Sequence, residues 1–166
     1  MRADSQKYVF PIQQGMQNHE VDIIEGSPTP NEYNLLRKAV GWHCIDPGRT
    51  EVALRNSLFS VYARRENQVV GFGRVVGDYS IYFYVQDILV SPKHQRKGIG
   101  HGIMKRLMEY CDSHASAESG ACIGLMAAPG LSAFYHRYGF QFLSDGSLFM
   151  CSWRQARLMG VDRMGR

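Results

Sequence analysis

Val90-Ser91-Pro92-Lys93-His94-Gln95-Arg96-Lys97-Gly98-Ile99-Gly100 is the stretch on which the reading of this chain turns. An apolar run, Val85 to Val90, stops at Ser-Pro. A basic, glycine-containing loop follows. It leads into Ile99, Ile103, Met104, Leu107, Met108 and Cys111, which recur at helical spacing. A strand, a glycine loop and a helix N-terminus in that order build a cradle for phosphate. Glycines let the backbone aim several N–H groups at one point. The first helical turn adds unpaired donors and a partial positive charge. Arg96, Lys97 and Lys93 add full charges. A diphosphate fits such a site better than the other common anions. Two rival glycine motifs fit worse. Gly98-x-Gly100-x-Gly102 lacks the spacing of a dinucleotide site, and the Gly-Lys-Ser/Thr of a P-loop is absent.

Outward from the loop, the chain reads as alternating strands and helices. Val21 to Ile24 predicts a short strand. Thr29-Pro30-Asn31-Glu32 is a capping box with proline at the first helical position, and its helix is expected to reach about Trp42. Asp46-Pro47 starts a second helix that ends near Ser57. Phe59 to Arg64 and Val69 to Val76 form a hairpin across Glu66-Asn67-Gln68. Gly77-Asp78 turns the chain into an aromatic strand, Ile81 to Val90. The helix after the glycine loop runs to about His114, and Ala115 to Gly120 is a polar linker. Cys122 to Ala127 reads as a buried strand and Leu131 to Tyr138 as a short helix stopped by Gly139. Phe140 to Leu143 and Leu148 to Trp153 make a last hairpin across Ser144-Asp145-Gly146-Ser147. This order predicts a mixed α+β fold, a mainly antiparallel sheet flanked by helices. Residues 1–18 read as an irregular leader packed through Tyr8, Val9 and Phe10. Residues 19–153 form the domain, and 154–166 a basic tail.

Composition narrows the function classes. The 166 residues are 45% hydrophobic and 20% charged, which suits one domain with a sizeable core and excludes a wholly disordered chain. No apolar run approaches a membrane span, and Met1 to Gln17 carries no signal-peptide core, so a cytoplasmic protein is expected. Cys44, Cys111, Cys122 and Cys151 are widely spaced and predict reduced thiols. Neither they nor His19, His43, His94, His101, His114 and His136 show metal-ligand spacing, so no metal is expected. The net charge of +4 is divided between the loop and Arg154, Arg157, Arg163 and Arg166, so nucleic-acid binding is not required.

Gln95-Arg96-Lys97-Gly98-Ile99-Gly100 resembles the acyl-CoA pyrophosphate loop of the GNAT acetyltransferase superfamily, whose pattern is (Gln/Arg)-x-x-Gly-x-(Gly/Ala). Ala133-Phe134-Tyr135-His136-Arg137-Tyr138-Gly139-Phe140 is similar to that family's late helix, and the resemblance covers roughly residues 20 to 153. It implies the GNAT fold, with two parallel strands, Ile81–Val90 and Cys122–Ala127, splayed apart. It implies acetyl-CoA as cosubstrate, its pantetheine paired with the backbone of Ile88, Leu89 and Val90. The resemblance also implies that the acetyl carbonyl would take a hydrogen bond from an N–H near Leu89, in an oxyanion-type role. By the same resemblance the pyrophosphate would sit on the N–H groups of Arg96, Lys97, Gly98, Ile99, Gly100 and His101, with Gln95, Phe134 and Tyr138 completing the expected cofactor site. Tyr135 matches the tyrosine that meets the CoA sulfur.

The implied chemistry is attack of an amine on a thioester. At a pKa of about 10.4, only about one alkyl amine in a thousand is neutral at pH 7, so a base or water chain is needed. Asp87 is the candidate base; its alternative reading is a satisfied polar group that holds a bulge. Glu51 and Asp46 are weaker candidates for binding the amine, and surface solvation explains both. Cys122 lies in an apolar strand with no histidine next to it in sequence, so an acyl-enzyme is not favoured. Trp42, Tyr82 and Tyr84 are the candidate acceptor walls, alongside His43, Tyr79 and Phe83. The favoured acceptor is a small-molecule primary amine. A peptide N-terminus or lysine comes next, and an aminoacyl-tRNA rests on the arginine tail alone. A non-catalytic acyl-CoA-binding regulator is the alternative from another class. The edges of the last hairpin could pair across a homodimer.

Overall fold

The computed structural model describes residues 8–9, 21–115, 120–144 and 147–153. The arginine tail, Phe10 and most of the expected leader, part of the 115–120 linker and the Asp145-Gly146 turn lie outside the described residues. The chain forms two compact units. One comprises Met1–Val76 with Val85–Glu109, the other Gly77–Tyr84 with Tyr110–Arg166.

In the first unit the strand order is β1 (Tyr8–Val9), β2 (Asp22–Glu25), β3 (Phe59–Arg65), β4 (Gln68–Gly77) and the C-terminal part of β5 (Tyr82–Val90). The first three pairings are antiparallel. Tyr8–Val9 was not expected to be a strand. It pairs with Asp22 and Ile23, where β2 would otherwise present an open edge.

Helix α1 (Pro30–Ala39) starts at the expected capping box, with both of its hydrogen bonds formed. It stops three residues before Trp42. Gly41 adopts a φ of 84°, and the N–H groups of Gly41 and Trp42 turn back to the carbonyls of Lys38 and Arg37, a Schellman ending. Helix α2 (Pro47–Arg55) is capped by Asp46, which accepts from the Arg49 N–H. Tyr33, Leu36, Leu54, Val69, Phe72 and Leu89 form one buried cluster with these helices, and the Tyr33 ring meets Phe72 edge-on at 5.4 Å.

Helix α3 (Ile99–His114) begins in this unit and packs on β4 through missing side chains. A Cβ on Gly71 would lie 2.9 Å from Ile103, and one on Gly73 2.6 Å from Ile103 and 2.8 Å from Ile88. A Cβ on Gly102 would lie 2.4 Å from Ile23. These close approaches fix where the α3 N-terminus lies.

In the second unit the order is the start of β5, then β6 (Cys122–Met126), β8 (Phe149–Trp153) and β7 (Gln141–Phe142). β5 and β6 run parallel through three pairs, Tyr82–Cys122, Phe83–Ile123 and Tyr84–Gly124, where the register ends. The other two pairings are antiparallel. Helix α4 (Ser132–His136) is shorter than expected, because turns through Tyr138 to Gly139, at φ 83°, close it. Phe83, Ile123, Leu125, Phe140 and Met150 are fully buried or nearly so. The mixed α+β class with a mainly antiparallel sheet and one parallel pair is therefore as expected.

Candidate active site

The glycine loop is built on the first unit. The Ser91 N–H bonds the Val70 carbonyl at the end of β5, and Pro92–His94 makes a single 3₁₀ turn where the sequence predicts open loop. Gln95 folds its amide back onto the Val90 carbonyl at 3.0 Å, so this side chain holds the turn together. Arg96 and Gly98 both take left-handed backbone, at φ 59° and 84°. Left-handed residues at alternate positions turn successive N–H groups to one side, the geometry of an anion nest. The first bond of α3 runs from Gly102 N–H to Gly98 carbonyl at 2.9 Å. The N–H groups ahead of it have no acceptor within the helix and carry its positive end.

His94 closes the 3₁₀ turn of this loop and is half-buried. Its Nδ1 and the Nε of Arg65 are buried without a hydrogen-bond partner among the described residues. Burial holds the His94 imidazole below its ordinary pKa, and the charges of Lys97, Arg65 and Lys93 push it the same way.

Asp87 lies farther back on β5, with φ 59° inside the strand. Its side chain is 2% exposed. Oδ2 accepts from the Tyr33 hydroxyl at 2.7 Å and from Arg74 Nε at 2.8 Å, and Oδ1 accepts from Gln86 Nε2 at 3.0 Å. Arg74 also gives Nη1 to the Ala53 carbonyl at 2.9 Å. The Tyr33 hydroxyl in turn accepts from Arg37 Nη1 at 3.1 Å. Burial, reinforced by the Asp87 charge, pushes the Tyr33 phenol up to about 12. A base must reach the proton it removes; this carboxylate is enclosed by donors. Of the two readings of Asp87, the geometry favours the satisfied group that holds a bulge.

Ile88 and Leu89 point to opposite faces. Ile88 meets the α3 side at Gly73, and Leu89 joins the α1–α2 cluster. Trp42, 41% exposed, has the Arg37 guanidinium 5.0 Å over its ring, so that π face already holds a cation. Asp46 is committed to its cap, and Glu51 is exposed.

The second unit carries the remaining candidates. Tyr135 is buried in α4, edge-on to Phe134 at 5.1 Å and to Phe140 at 6.4 Å. Burial raises its phenol above the ordinary value. Among the described residues its hydroxyl meets no hydrogen-bond partner. Phe134 also contacts Tyr138 edge-on at 5.6 Å, and burial lifts the Tyr138 phenol to about 12 against the opposing charge of Arg137. Tyr84 stacks on Phe149 at 6.1 Å over Gly124, where a Cβ would lie 2.7 Å from the Phe149 ring. That makes Tyr84 a packing residue of the sheet, whereas Tyr82 is 60% exposed.

The structure thus gathers Trp42, Asp87, Ile88, Leu89, Val90 and the Gln95–His101 loop in the first unit. Tyr82, Tyr84, Phe134, Tyr135 and Tyr138 belong to the second. The sequence reading missed Tyr33, Arg37 and Arg74, whose roles appear only when β4 and α1 meet β5. It missed Gly71 and Gly73 as well, although two glycines at the same-face spacing of a strand are a usable signal for close approach. Among the described residues no helix is long and apolar enough to cross a membrane, and no group of three or more His, Cys, Asp or Glu could hold a metal.

A family model described as an acetyltransferase (GNAT) domain matches residues 42–150. The "GCN5-related N-acetyltransferase 1, chloroplastic" of Arabidopsis thaliana is 31% identical over 130 residues, covering 76% of this chain and 64% of that protein. The chain therefore spans just under two thirds of that relative. A probable acetyltransferase of meticillin-resistant Staphylococcus aureus, a solved structure, matches at a TM-score of 0.71 with 29% identity, covering 76% of this chain and 94% of that one. A Brucella melitensis GNAT family acetyltransferase solved with acetyl-CoA shares the fold at a TM-score of 0.55 and 17% identity, over 82% and 89% of the two chains.

Proposed function

Because this chain belongs to the GNAT acetyltransferase family, we propose that it moves the acetyl group of acetyl-CoA to a primary amine in one direct step. The observation that carries this reading is the loop with left-handed Arg96 and Gly98 opening onto the α3 N-terminus. Its N–H groups hold the pyrophosphate, with Arg96 and Lys97 alongside. The backbone of Ile88, Leu89 and Val90 aligns the pantetheine, and the N–H near Leu89 polarises the thioester carbonyl. The neutral amine nitrogen, its ammonium proton lost to water, attacks the carbonyl carbon; the C–S bond breaks, the nitrogen passes its second proton to water, and the departing thiolate is protonated from solvent. Tyr135, whose hydroxyl is uncommitted, donates a hydrogen bond to that sulfur. Its raised pKa favours a hydrogen bond over full proton transfer, since a thiol ionises near about 8.5.

The acceptor is a small-molecule amine in a cytoplasmic setting, and the exposed edge of β7 is where a second copy would pair. The Arabidopsis relative is named chloroplastic, so fractionation decides the compartment. Thiol release from acetyl-CoA across a panel of small amines, peptides and lysine derivatives tests the reaction and its acceptor class. Binding of acetyl-CoA without thiol release from any amine would leave a regulator in place of an enzyme.

A further inference from the structure

Asp87 holds a left-handed backbone in the middle of a strand, two residues before Leu89. Aspartate tolerates that conformation better than most side chains, but a turn of this kind persists only where its surroundings over-determine it. Here they do. Arg74 comes from β4, and Tyr33, the second donor to the same carboxylate oxygen, comes from α1. Arg74 also bonds the Ala53 carbonyl near the end of α2, with Ser57 Oγ at 3.5 Å. A planar guanidinium engaged at two points cannot swivel, so it sets the direction of the carboxylate as well as its charge. Buried ion pairs add little stability over apolar replacements, so stability alone does not account for this one. The Arg74 side chain is 15% exposed, and its Nε and Nη1 are committed to Asp87 and to the Ala53 carbonyl, which suits it to holding shape rather than to meeting the substrate.

We propose that Arg74 is a positioning residue for acetyl transfer: by clamping Asp87 to α2 it fixes the turn in β5 that presents the amides of Ile88 to Val90 to the thioester. This rests on the acetyl-transfer reading above. Displacement of those amides by a fraction of an ångström would weaken carbonyl polarisation while leaving the pyrophosphate loop, farther along the chain, as it is.

The test compares wild type, Arg74→Met, Asp87→Asn and the double variant by thiol release, with acetyl-CoA affinity measured by calorimetry. Arg74→Met is expected to lower kcat about 100-fold with the KM for acetyl-CoA within about threefold, the signature of an interaction that acts in the transition state. Asp87→Asn, which tolerates the left-handed turn and removes the charge, is expected to cost about tenfold and to leave the acid limb of the pH–rate profile in place. The double variant is expected to be no slower than Arg74→Met, because no buried charge is then stranded. If Arg74→Met fails to fold, Arg74→Lys, which keeps the charge but not the fork, is expected to lose about tenfold in kcat at unchanged KM. A wild-type kcat in the folded Arg74 variant, or a rise in KM that matches the fall in kcat/KM, overturns the proposal. Loss of the acid limb in Asp87→Asn also overturns it, in favour of Asp87 as base. Wild-type protein that releases no thiol with any amine overturns the acetyl-transfer reading, and this inference with it; working wild type beside indifferent variants overturns this inference alone.

Discussion

Asp87 and Tyr135 are both buried residues, yet three donors enclose the carboxylate of the first, while the hydroxyl of the second meets no partner among the described residues. Burying a polar group without a partner is costly, and the Tyr135 hydroxyl is not one of the fully buried unpaired atoms among the described residues, so its tip is open to solvent or to a ligand. The committed group holds shape: it ties α1, α2 and β4 to one point of β5. The uncommitted group is suited to a partner that arrives with the substrate. The same contrast recurs within the first unit. The Asp87 network is complete, whereas Arg65 Nε and His94 Nδ1, beside the glycine loop, are not.

The largest effect expected is on the loop, where backbone shape alone makes the site. At Gly98 a Cβ would meet nothing within 4 Å, so a larger residue can be housed, but not at φ 84° without strain. Strain of about 1–3 kcal/mol, released by a change in loop shape, predicts that Gly98→Val weakens acetyl-CoA binding by up to about 100-fold in calorimetry while the melting temperature holds. Wild-type affinity would remove the nest from the account.

Next come two Tyr→Phe changes that the comparison sets against each other. Tyr135→Phe removes a hydroxyl with no partner, so it is expected to lower kcat about ten- to a hundredfold and to change stability by less than about 0.5 kcal/mol. An unchanged kcat would return Tyr135 to packing alone. Tyr33→Phe strips one donor from Asp87 and one acceptor from Arg37, and is expected to cost about 1–3 kcal/mol in urea denaturation. Tyr33 also gives alkaline pH a sign. Its phenol stays protonated in the fold up to about 12, while the unfolded chain ionises at the ordinary value of 10. The folded state therefore holds the extra proton, and stability that is full below that ordinary value is lost as pH rises toward the folded one. Tyr33→Phe should flatten that decline; a decline as steep as in wild type would place its cause elsewhere.

What could be read in the sequence follows the same division. The capping box at Thr29, the loop into α3 and the Tyr135 helix are local patterns, and each appears where its residues predict. Gly41 shortens α1, and the turns through Gly139 shorten α4, because the chain turns back before the apolar pattern ends. The Asp87 network was not legible. Tyr33, Arg74 and Asp87 are separated by 54 and 13 residues in their contacts, and nothing local in any of the three marks the others. Trp42 failed as an open aromatic face for the same reason, since Arg37 reaches it only after the Schellman turn brings the chain back.

The smallest effect expected is the most specific test of the idea that uncommitted atoms mark the ligand side. Burial, then Lys97, Arg65 and Lys93, hold the His94 pKa below its ordinary value, so the folded protein resists protonating it. By itself this costs stability as pH falls below 6.5, since the unfolded chain takes the proton first. A diphosphate on the loop opposes those three cations and stabilises the imidazolium. Binding then takes up part of a proton, and acetyl-CoA affinity should rise by about threefold from pH 8 to pH 6. Phosphate groups also titrate near pH 6, with the opposite sign, since they lose charge on acidification. The comparison that isolates His94 is therefore with His94→Gln, which keeps a polar side chain but cannot charge. Affinity in the variant should fall or stay level over the same range. Parallel pH dependence in the two proteins would show that His94 does not sense the bound anion, and that its unpartnered nitrogen is a packing defect of the 3₁₀ turn.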